Sequence, residues 1–512
     1  MRSRWPLVGA AALLTSLLAA CGSSEPVSER VPLAEAWPTM QPTPAWQHFY
    51  ELTQFPRKSK HEEKATALVA DFGRNLGLET VVDGVGNVLI RKPATPGMEA
   101  SPGVVLQAHL DMVAQQTPDS TANLDTDPIQ AYVEGGWVRA DKTSLGADDG
   151  IGVAIIMDLL QAEDVVHGPL EALFTVDEEA DFTGIDAIGP EVLTGRLYVN
   201  VDNELEGQFI ISSAGGVYVL ARATYEELAT PPGMAGYLLT VDGLIGGHSG
   251  IDIDKGRGSA HQIMARLLVE APVEFEVRVA EVVGGNQRNA IPRKTTAAVA
   301  LWPDQAEAFG RYVAEFAATV ASELAATDPG VVVAMTPADL PPKVMEAAAQ
   351  EALIGAVYAV PQGVYKMSDT IPGLVETSGN LGVLGIAAGQ LTGDSYVRSA
   401  IDSERDAEAE RFAVVFEAAG ATVTLEGAFS SWPPNPDSPL LVLMSQVYQG
   451  TFGTAPAVGA VHAGLETSVA GLTYPDMDMI SIGATTQYVH TPDEQLEVAS
   501  VQKLHDLLVA TL

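Results

Sequence analysis

The stretch Gly103–Val104–Val105–Leu106–Gln107–Ala108–His109–Leu110–Asp111 decides the reading of this chain. Gly103 to Gln107 is a compact apolar run of strand length. Such a strand delivers His109 to the carboxyl edge of a sheet, where open α/β sheets place their sites. Asp111 follows two residues on and points the same way, because side chains alternate along extended backbone. Its carboxylate could hold the imidazole of His109 in the tautomer that binds a metal.

Outward from this strand the chain alternates strands with helices. Apolar residues from Trp46 to about Leu78 (Phe49, Leu52, Phe55, then Ala67, Leu68, Phe72, Leu76) fall at helical intervals. Strands are predicted at Thr80–Asp83 and Asn87–Arg91, on either side of the Gly84–Val85–Gly86 turn, and at Leu170–Val176 and Arg196–Asp202. A helix is predicted over Ile151–Leu160. This alternation indicates an α/β catalytic domain with a largely parallel central sheet. Around Gly215–Gly216 the pattern changes to alternating strands (Gly236–Val241, Val273–Val282, Lys294–Leu301) and long helical runs such as Gln305–Leu324. That stretch is expected to form an inserted α+β lid domain. The expected division is 45–215 and 406–512 for the catalytic domain and 216–405 for the lid.

The 512 residues suffice for two or three domains, and 47% hydrophobic content excludes wholesale disorder. Lys and Arg number 28 against 66 Asp and Glu, a formal charge of −38. Such a surface repels phosphate backbones and anionic lipids, so no nucleic-acid partner is expected. The single cysteine, Cys21, permits no intramolecular disulfide and no thiolate zinc site. Any metal must be held by His and carboxylate.

Residues 1–21 carry Arg2 and Arg4, an apolar stretch from Leu7 to Ala20, and then Cys21, which reads as a secretory signal rather than a spanning helix. Leu18–Ala19–Ala20–Cys21 resembles the bacterial lipobox. The resemblance implies lipidation of Cys21 and an exported lipoprotein whose membrane contact is confined to that anchor. Gly22 is not an inner-membrane retention acid, which favours the outer membrane. Residues 22–44, rich in Ser, Pro and Glu, read as a flexible tether.

Five short stretches concentrate His, Asp and Glu at strand ends and loops. Besides His109 and Asp111 they are Leu145–Gly146–Ala147–Asp148–Asp149–Gly150, Phe174–Thr175–Val176–Asp177–Glu178–Glu179, Val199–Asn200–Val201–Asp202 and Tyr488–Val489–His490–Thr491–Pro492–Asp493–Glu494. Three adjacent acids after an apolar strand repel one another unless protons or metals neutralise them. Two histidines and three carboxylates suit two borderline-hard divalent ions with coordination positions left for water. A serine-hydrolase elbow is absent, and His61–Glu62–Glu63–Lys64–Ala65 lacks the second histidine of a single-zinc protease motif. His48, His61, His167, His261 and His505 read as surface or packing residues.

In this order the five stretches resemble the di-zinc metallopeptidases of the aminoacylase and carboxypeptidase type, over about Trp46 to the C-terminus. The details are most similar to the aminoacyl-histidine, or cytosol non-specific, dipeptidases: Gly246–Gly247–His248–Ser249–Gly250, Gly284 to Arg293, Val461 to Glu466 and Pro475 to Met479. The resemblance implies two Zn²⁺ per subunit, with Co²⁺ or Mn²⁺ as substitutes. By the same resemblance Asp148 would bridge them, His109 and Asp202 would complete one ligand set, and Glu179 and His490 would complete the other. It implies Glu178 as general base and Asp111 as the group orienting His109. His248 would stabilise the oxyanion, Asn289 and Arg398 would meet the substrate's carboxylate end, and His462 and Gly464 would line the pocket. It further implies a short peptide substrate and a homodimer through the lid. The expected reaction is metal-dependent hydrolysis of unblocked dipeptides. The alternatives are an N-acyl amino acid amidohydrolase or carboxypeptidase with the same metal ligands, and a non-catalytic peptide-binding lipoprotein. Asp149 and Asn203 depart from the family pattern, where Asn and a hydroxyl or acid are expected.

Overall fold

The computed structural model describes residues 29–512. The expectations for Cys21, the signal segment and the first part of the tether therefore lie outside the described residues.

One eight-stranded sheet carries the first domain. In spatial order its strands are Glu79–Val82, Val88–Lys92, Leu170–Thr175, Val104–His109, Leu197–Asn200, Asp478–Ser481, Gln208–Ser213 and Ala457–Val461. The four central strands, Leu170–Thr175 to Asp478–Ser481, run parallel, and antiparallel pairings flank them. Parallel register is what assembles the site. His109 lies opposite Thr175, and Gln107 lies opposite Asn200. The residues just beyond, Asp177–Glu179 and Asp202, therefore emerge at the same sheet edge as His109. The helix Ala147–Gln161 is apolar on almost every face and fully enclosed, as a helix buried all round must be. With Trp46, Phe49, Phe174 and Phe209 it forms the core of this domain.

The predicted helical segment Trp46–Leu78 is two helices, Thr43–Leu52 and Glu63–Asn75. The loop between them carries Arg57 into the interior. The expected tether does not extend to residue 44. Val31 pairs with Val133, and Leu33 is buried, so the chain is held by sheet and core contacts from residue 31 onward. Val31–Pro32 is the edge of a second, five-stranded sheet that also holds Ala131–Glu134, Trp137–Ala140, Gln495–Glu497 and Thr486–Gln487. The last two strands form a hairpin with His490 in its connecting loop.

The lid is a nine-stranded antiparallel sheet covered by the helices Ala260–Val269, Ala306–Glu323, Ala347–Ala359 and Asp402–Ala418. Its long strands Val375–Ala387 and Gln390–Ser399 form the central hairpin. The return to the first domain comes later than residue 406. Asp402–Ala418 packs on the lid sheet, and Thr422–Phe429 pairs with Gly215–Thr224 as its edge strand. The buried rings of Phe309, Phe412 and Phe416 anchor the lid core. Gly379 is required there, because a Cβ on it would run into the ring of Phe412. Phe412→Ala should cost about 3–5 kcal/mol through the cavity it leaves, read as a lowered urea midpoint.

Candidate active site

The parallel strand ends and the N-terminus of the helix Ala147–Gln161 bring the acids and histidines to one point. His109 Nε2 lies 3.0 Å from Asp148 Oδ1 and 3.4 Å from Asp202 Oδ1. His490 Nε2 lies 3.1 Å from Asp148 Oδ2 and 2.9 Å from Glu179 Oε2. Asp148 thus presents one oxygen to each histidine. Ligand atoms of His109, Asp148 and Asp202, and those of Asp148, Glu179 and His490, each fall within 4.8 Å of one another. Asp111 Oδ1 stands 3.3 Å from the other ring nitrogen of His109. The same carboxylate accepts the backbone N–H groups of Glu178 and Glu179 at 3.0 and 3.1 Å and the Ser59 hydroxyl at 2.7 Å. His490 sits in the left-handed region (φ 61°), as does Tyr488 (φ 56°). Such backbone is uncommon outside glycine and turns the ring back toward Asp148.

The electrostatics fit a cationic occupant. Burial, reinforced by the charge of Asp148, pushes the Glu179 carboxyl up to about 7 despite its bond to His490. Burial likewise raises Asp202 to about 6 and Glu178 well above the carboxylate range. Burial opposes a charge on His490, yet its bonds to Asp148 and Glu179 prevail and drive the imidazole up to about 11. Glu179 Oε1 is buried and has no hydrogen-bond partner. A His and carboxylate set with surplus negative charge and an orphaned buried oxygen is the chemistry that binds hard or borderline divalent metals.

Four residues support this cluster that the sequence reading did not assign. Glu494 accepts the backbone N–H groups of Leu145, Gly146, Ala147 and Asp148 at 2.7–3.3 Å, clamping the loop that aims Asp148. Arg57 is buried and donates to the carbonyls of Leu110, Asp111 and Gly146. Burial lowers its pKa, while the nearby charges of Glu494, Asp111, Asp149 and Asp148 support its protonated form. Glu62 accepts the N–H of Asp177 at 3.0 Å. Glu466, fully buried, accepts from Gln107 Nε2 (2.5 Å) and Thr175 Oγ1 (2.7 Å) beneath His109. Asp149, at the departure from the family pattern, is buried and accepts the N–H of His109 and of Gly152 at 3.3 and 3.2 Å.

A cavity of about 1380 Å³ opens from this cluster toward the lid, and Asp148, Glu178, Glu179, Asp202 and His490 line it. His248, Arg398, His462 and Gly464 line it too. His248 Nδ1 accepts the N–H groups of Gly250 and Ile251 at 3.2 and 3.1 Å, so its own proton sits on Nε2. Burial and Arg398 lower this imidazole to about 4 and keep it neutral. Arg398 Nη2, which can only donate, lies 3.4 Å from the Nε2. Arg398 is buried and has no carboxylate partner among the described residues; its guanidinium stacks 4.0 Å over the Tyr396 ring. His462 Nε2 bonds Ser378 Oγ at 2.7 Å. A Cβ on Gly464 would meet the rings of Phe429 and Phe182 at 3.0 and 3.2 Å, so any side chain there would press those rings aside. Asn289 is not brought to the cavity. It is exposed, and its backbone carbonyl accepts the N–H of Ser249 at 2.8 Å.

Removing the clamp should loosen the metal site while leaving the fold intact. Glu494→Ala is expected to weaken metal affinity about 10–100-fold, as losses of groups that orient ligands do. Metal titration of the apo-protein alongside circular dichroism checks this.

The chain is 37% identical to the cytosol non-specific dipeptidase of Escherichia coli, over 92% of this chain and 98% of that protein. The crystal structure of an aminoacylhistidine dipeptidase from Vibrio alginolyticus superposes with a TM-score of 0.83 at 38% identity, covering 93% of this chain and 97% of that one. A Staphylococcus aureus tripeptidase shares the fold at 15% identity, with a TM-score of 0.57 over 92% of this chain and 98% of that one. Residues 239–328, within the lid, match the peptidase dimerisation domain of the M20 family. These relatives correct the expected export. The Escherichia coli protein matched along nearly its whole length is by name a cytosol enzyme, which contradicts an exported, membrane-anchored lipoprotein. Among the described residues no helix is long and apolar enough to cross a membrane. Two-domain architecture, a paired His and carboxylate cluster and near-full-length identity together make this chain a member of the M20 metallopeptidase family, an enzyme hydrolysing peptide bonds, in the branch of the cytosol non-specific dipeptidases.

Proposed function

We propose that this enzyme cleaves the single peptide bond of unblocked dipeptides at a two-metal centre held by His109, Asp148 and Asp202 on one side and Asp148, Glu179 and His490 on the other. The observation that carries the reading is Asp148, which offers one oxygen to each histidine within 3.1 Å. Two Zn²⁺ ions, for which Co²⁺ or Mn²⁺ can substitute, would supply the Lewis acidity that activates water and polarises the scissile carbonyl.

The chain's own groups do the rest. Asp111 holds His109 through its second ring nitrogen and fixes the backbone of Glu178 and Glu179. Glu178, raised in pKa by burial, takes a proton from the attacking water and passes it to the leaving amine nitrogen. His248 donates its Nε2 proton to the developing oxyanion, and Arg398 receives the substrate's carboxylate. His462 and Gly464 shape the wall beside them. A cavity with the cluster at one end and a buried guanidinium at the other favours short substrates. Closure of the lid would exclude water from the reacting bond. Pairing of two chains through the lid is supported by the match of residues 239–328 to a dimerisation domain.

The test is an assay of purified enzyme on Ala-His and Gly-Gly, with tripeptides and N-acetylated amino acids in parallel. Dipeptide cleavage is expected, abolished by chelator and restored by Zn²⁺. Glu178→Ala should lower kcat about 10²–10⁴-fold, the range for a general base. Cleavage of acylated amino acids alone would leave the metals and overturn the dipeptide assignment.

A further inference from the structure

We infer that Glu204 is the receptor for the substrate's free α-ammonium group, and so the residue that makes this enzyme demand an unblocked amino terminus. The inference rests on the dipeptidase reading above and names a contact within its site.

The argument begins with the substrate. In a dipeptide the ammonium nitrogen is borne on the carbon next to the scissile carbonyl, about 2.5 Å from the carbonyl carbon. Wherever the carbonyl meets the His109–His490 cluster, the ammonium must lie beside it. Two divalent ions there would repel that positive charge. A carboxylate at the rim, not itself taken up by metal or by another cation, is the group that offsets the repulsion.

Most of the cavity's acids are already engaged. Asp148, Glu178, Glu179 and Asp202 belong to the groups clustered around His109 and His490, with Glu178 the proposed general base. Asp181 pairs with Lys60, and Asp254 with Lys255. Asp186 and Glu204 remain, both lining the cavity without a side-chain hydrogen bond or ion pair among the described residues. Glu204 stands two residues beyond Asp202, on the same loop. It lines the same cavity as Asp148, Glu179, Asp202 and His490.

Its backbone is tied down. The Glu204 carbonyl accepts the N–H of Thr486, at the start of the hairpin that carries His490, at 3.0 Å. The N–H of Asn203 bonds the Ile482 carbonyl at 3.1 Å. Gly483 has no room for a side chain against Asn203. Glu204 is solvent-exposed at the cavity rim, but its loop is fixed between the two ligand-bearing segments, which holds the carboxylate beside them. With Arg398 buried and lacking a carboxylate partner elsewhere in the cavity, the site carries one receptor for each end of a zwitterion.

The probes are Ala-Ala as substrate and propionyl-alanine, which lacks only the amine, as competitive inhibitor, with full-chain, metal-loaded enzyme. Glu204→Gln should raise the KM for Ala-Ala about tenfold or more, the scale of losing a charge-assisted hydrogen bond. The Ki of propionyl-alanine should stay within about twofold, and Glu204→Asp should recover part of the loss. Bound metal, measured by atomic emission, should equal that of the wild type. An unchanged KM, a parallel rise in KM and Ki, or a loss of bound metal would each overturn the assignment. Wild-type enzyme that cleaves N-acetyl amino acids but not Ala-Ala would instead remove the dipeptidase reading, and Glu204's role with it.

Discussion

The structure turns on the repulsion among carboxylates that the parallel strands gather at one edge. Asp148, Glu178, Glu179 and Asp202 stand together, largely out of water, which explains why burial and mutual charge push Glu179 to about 7 and Asp202 to about 6. The chain relieves part of this with fixed dipoles and one buried cation. Glu494 is held by four backbone N–H groups, Asp111 by two, and Arg57 lies among the carbonyls of Leu110, Asp111 and Gly146. What remains unrelieved is negative charge shared with two histidines, a site shaped for cations.

The lid gives this charge an opposite pole. Arg398 comes from the long central hairpin of the antiparallel sheet and His248 from the turn after the strand Ala235–Asp242. Arg398 is buried against lid elements and His248 is half-buried, its strand Gly247–His248 paired with Ala290–Ile291. The sheet thus brings a rigid pair of donors to a cavity whose far wall is acidic, and a small zwitterion matches that polarity. Tyr396 under the guanidinium and the Phe182–Phe429 pair beside Gly464 keep the intervening walls apolar and shape-defined.

Much of this was legible in the residues. Strands such as Val104–His109 and Leu170–Thr175 are short, apolar and followed at once by acids or histidine, so both their existence and the direction of their carboxyl ends could be read. Parallel register carries His109, Glu178, Glu179 and Asp202 to one sheet edge, while the start of the helix Ala147–Gln161 brings Asp148 and the hairpin loop of the second sheet brings His490. The supporting groups were not legible. Arg57 follows a proline in a charged loop, and Glu494 follows another acid; both look like surface until residues from distant segments close over them. The Ser- and Pro-rich composition before residue 44 suggested a tether, but Val31 finds its partner in Val133, about a hundred residues away. The end of the lid was misjudged for a related reason: the edge strand Thr422–Phe429 follows a long helix and pairs with Gly215–Thr224 across two hundred residues. Asn289 lies in a loop whose backbone, not its side chain, is held by the structure.

The most direct measurement of the central claim is anomalous X-ray scattering at the zinc edge from crystals of the zinc-loaded enzyme. Two peaks per chain are expected, one beside His109 and Asp202 and the other beside Glu179 and His490, with the Asp148 carboxylate between them. A single peak, or peaks not joined by Asp148, would contradict a two-metal centre built on that residue.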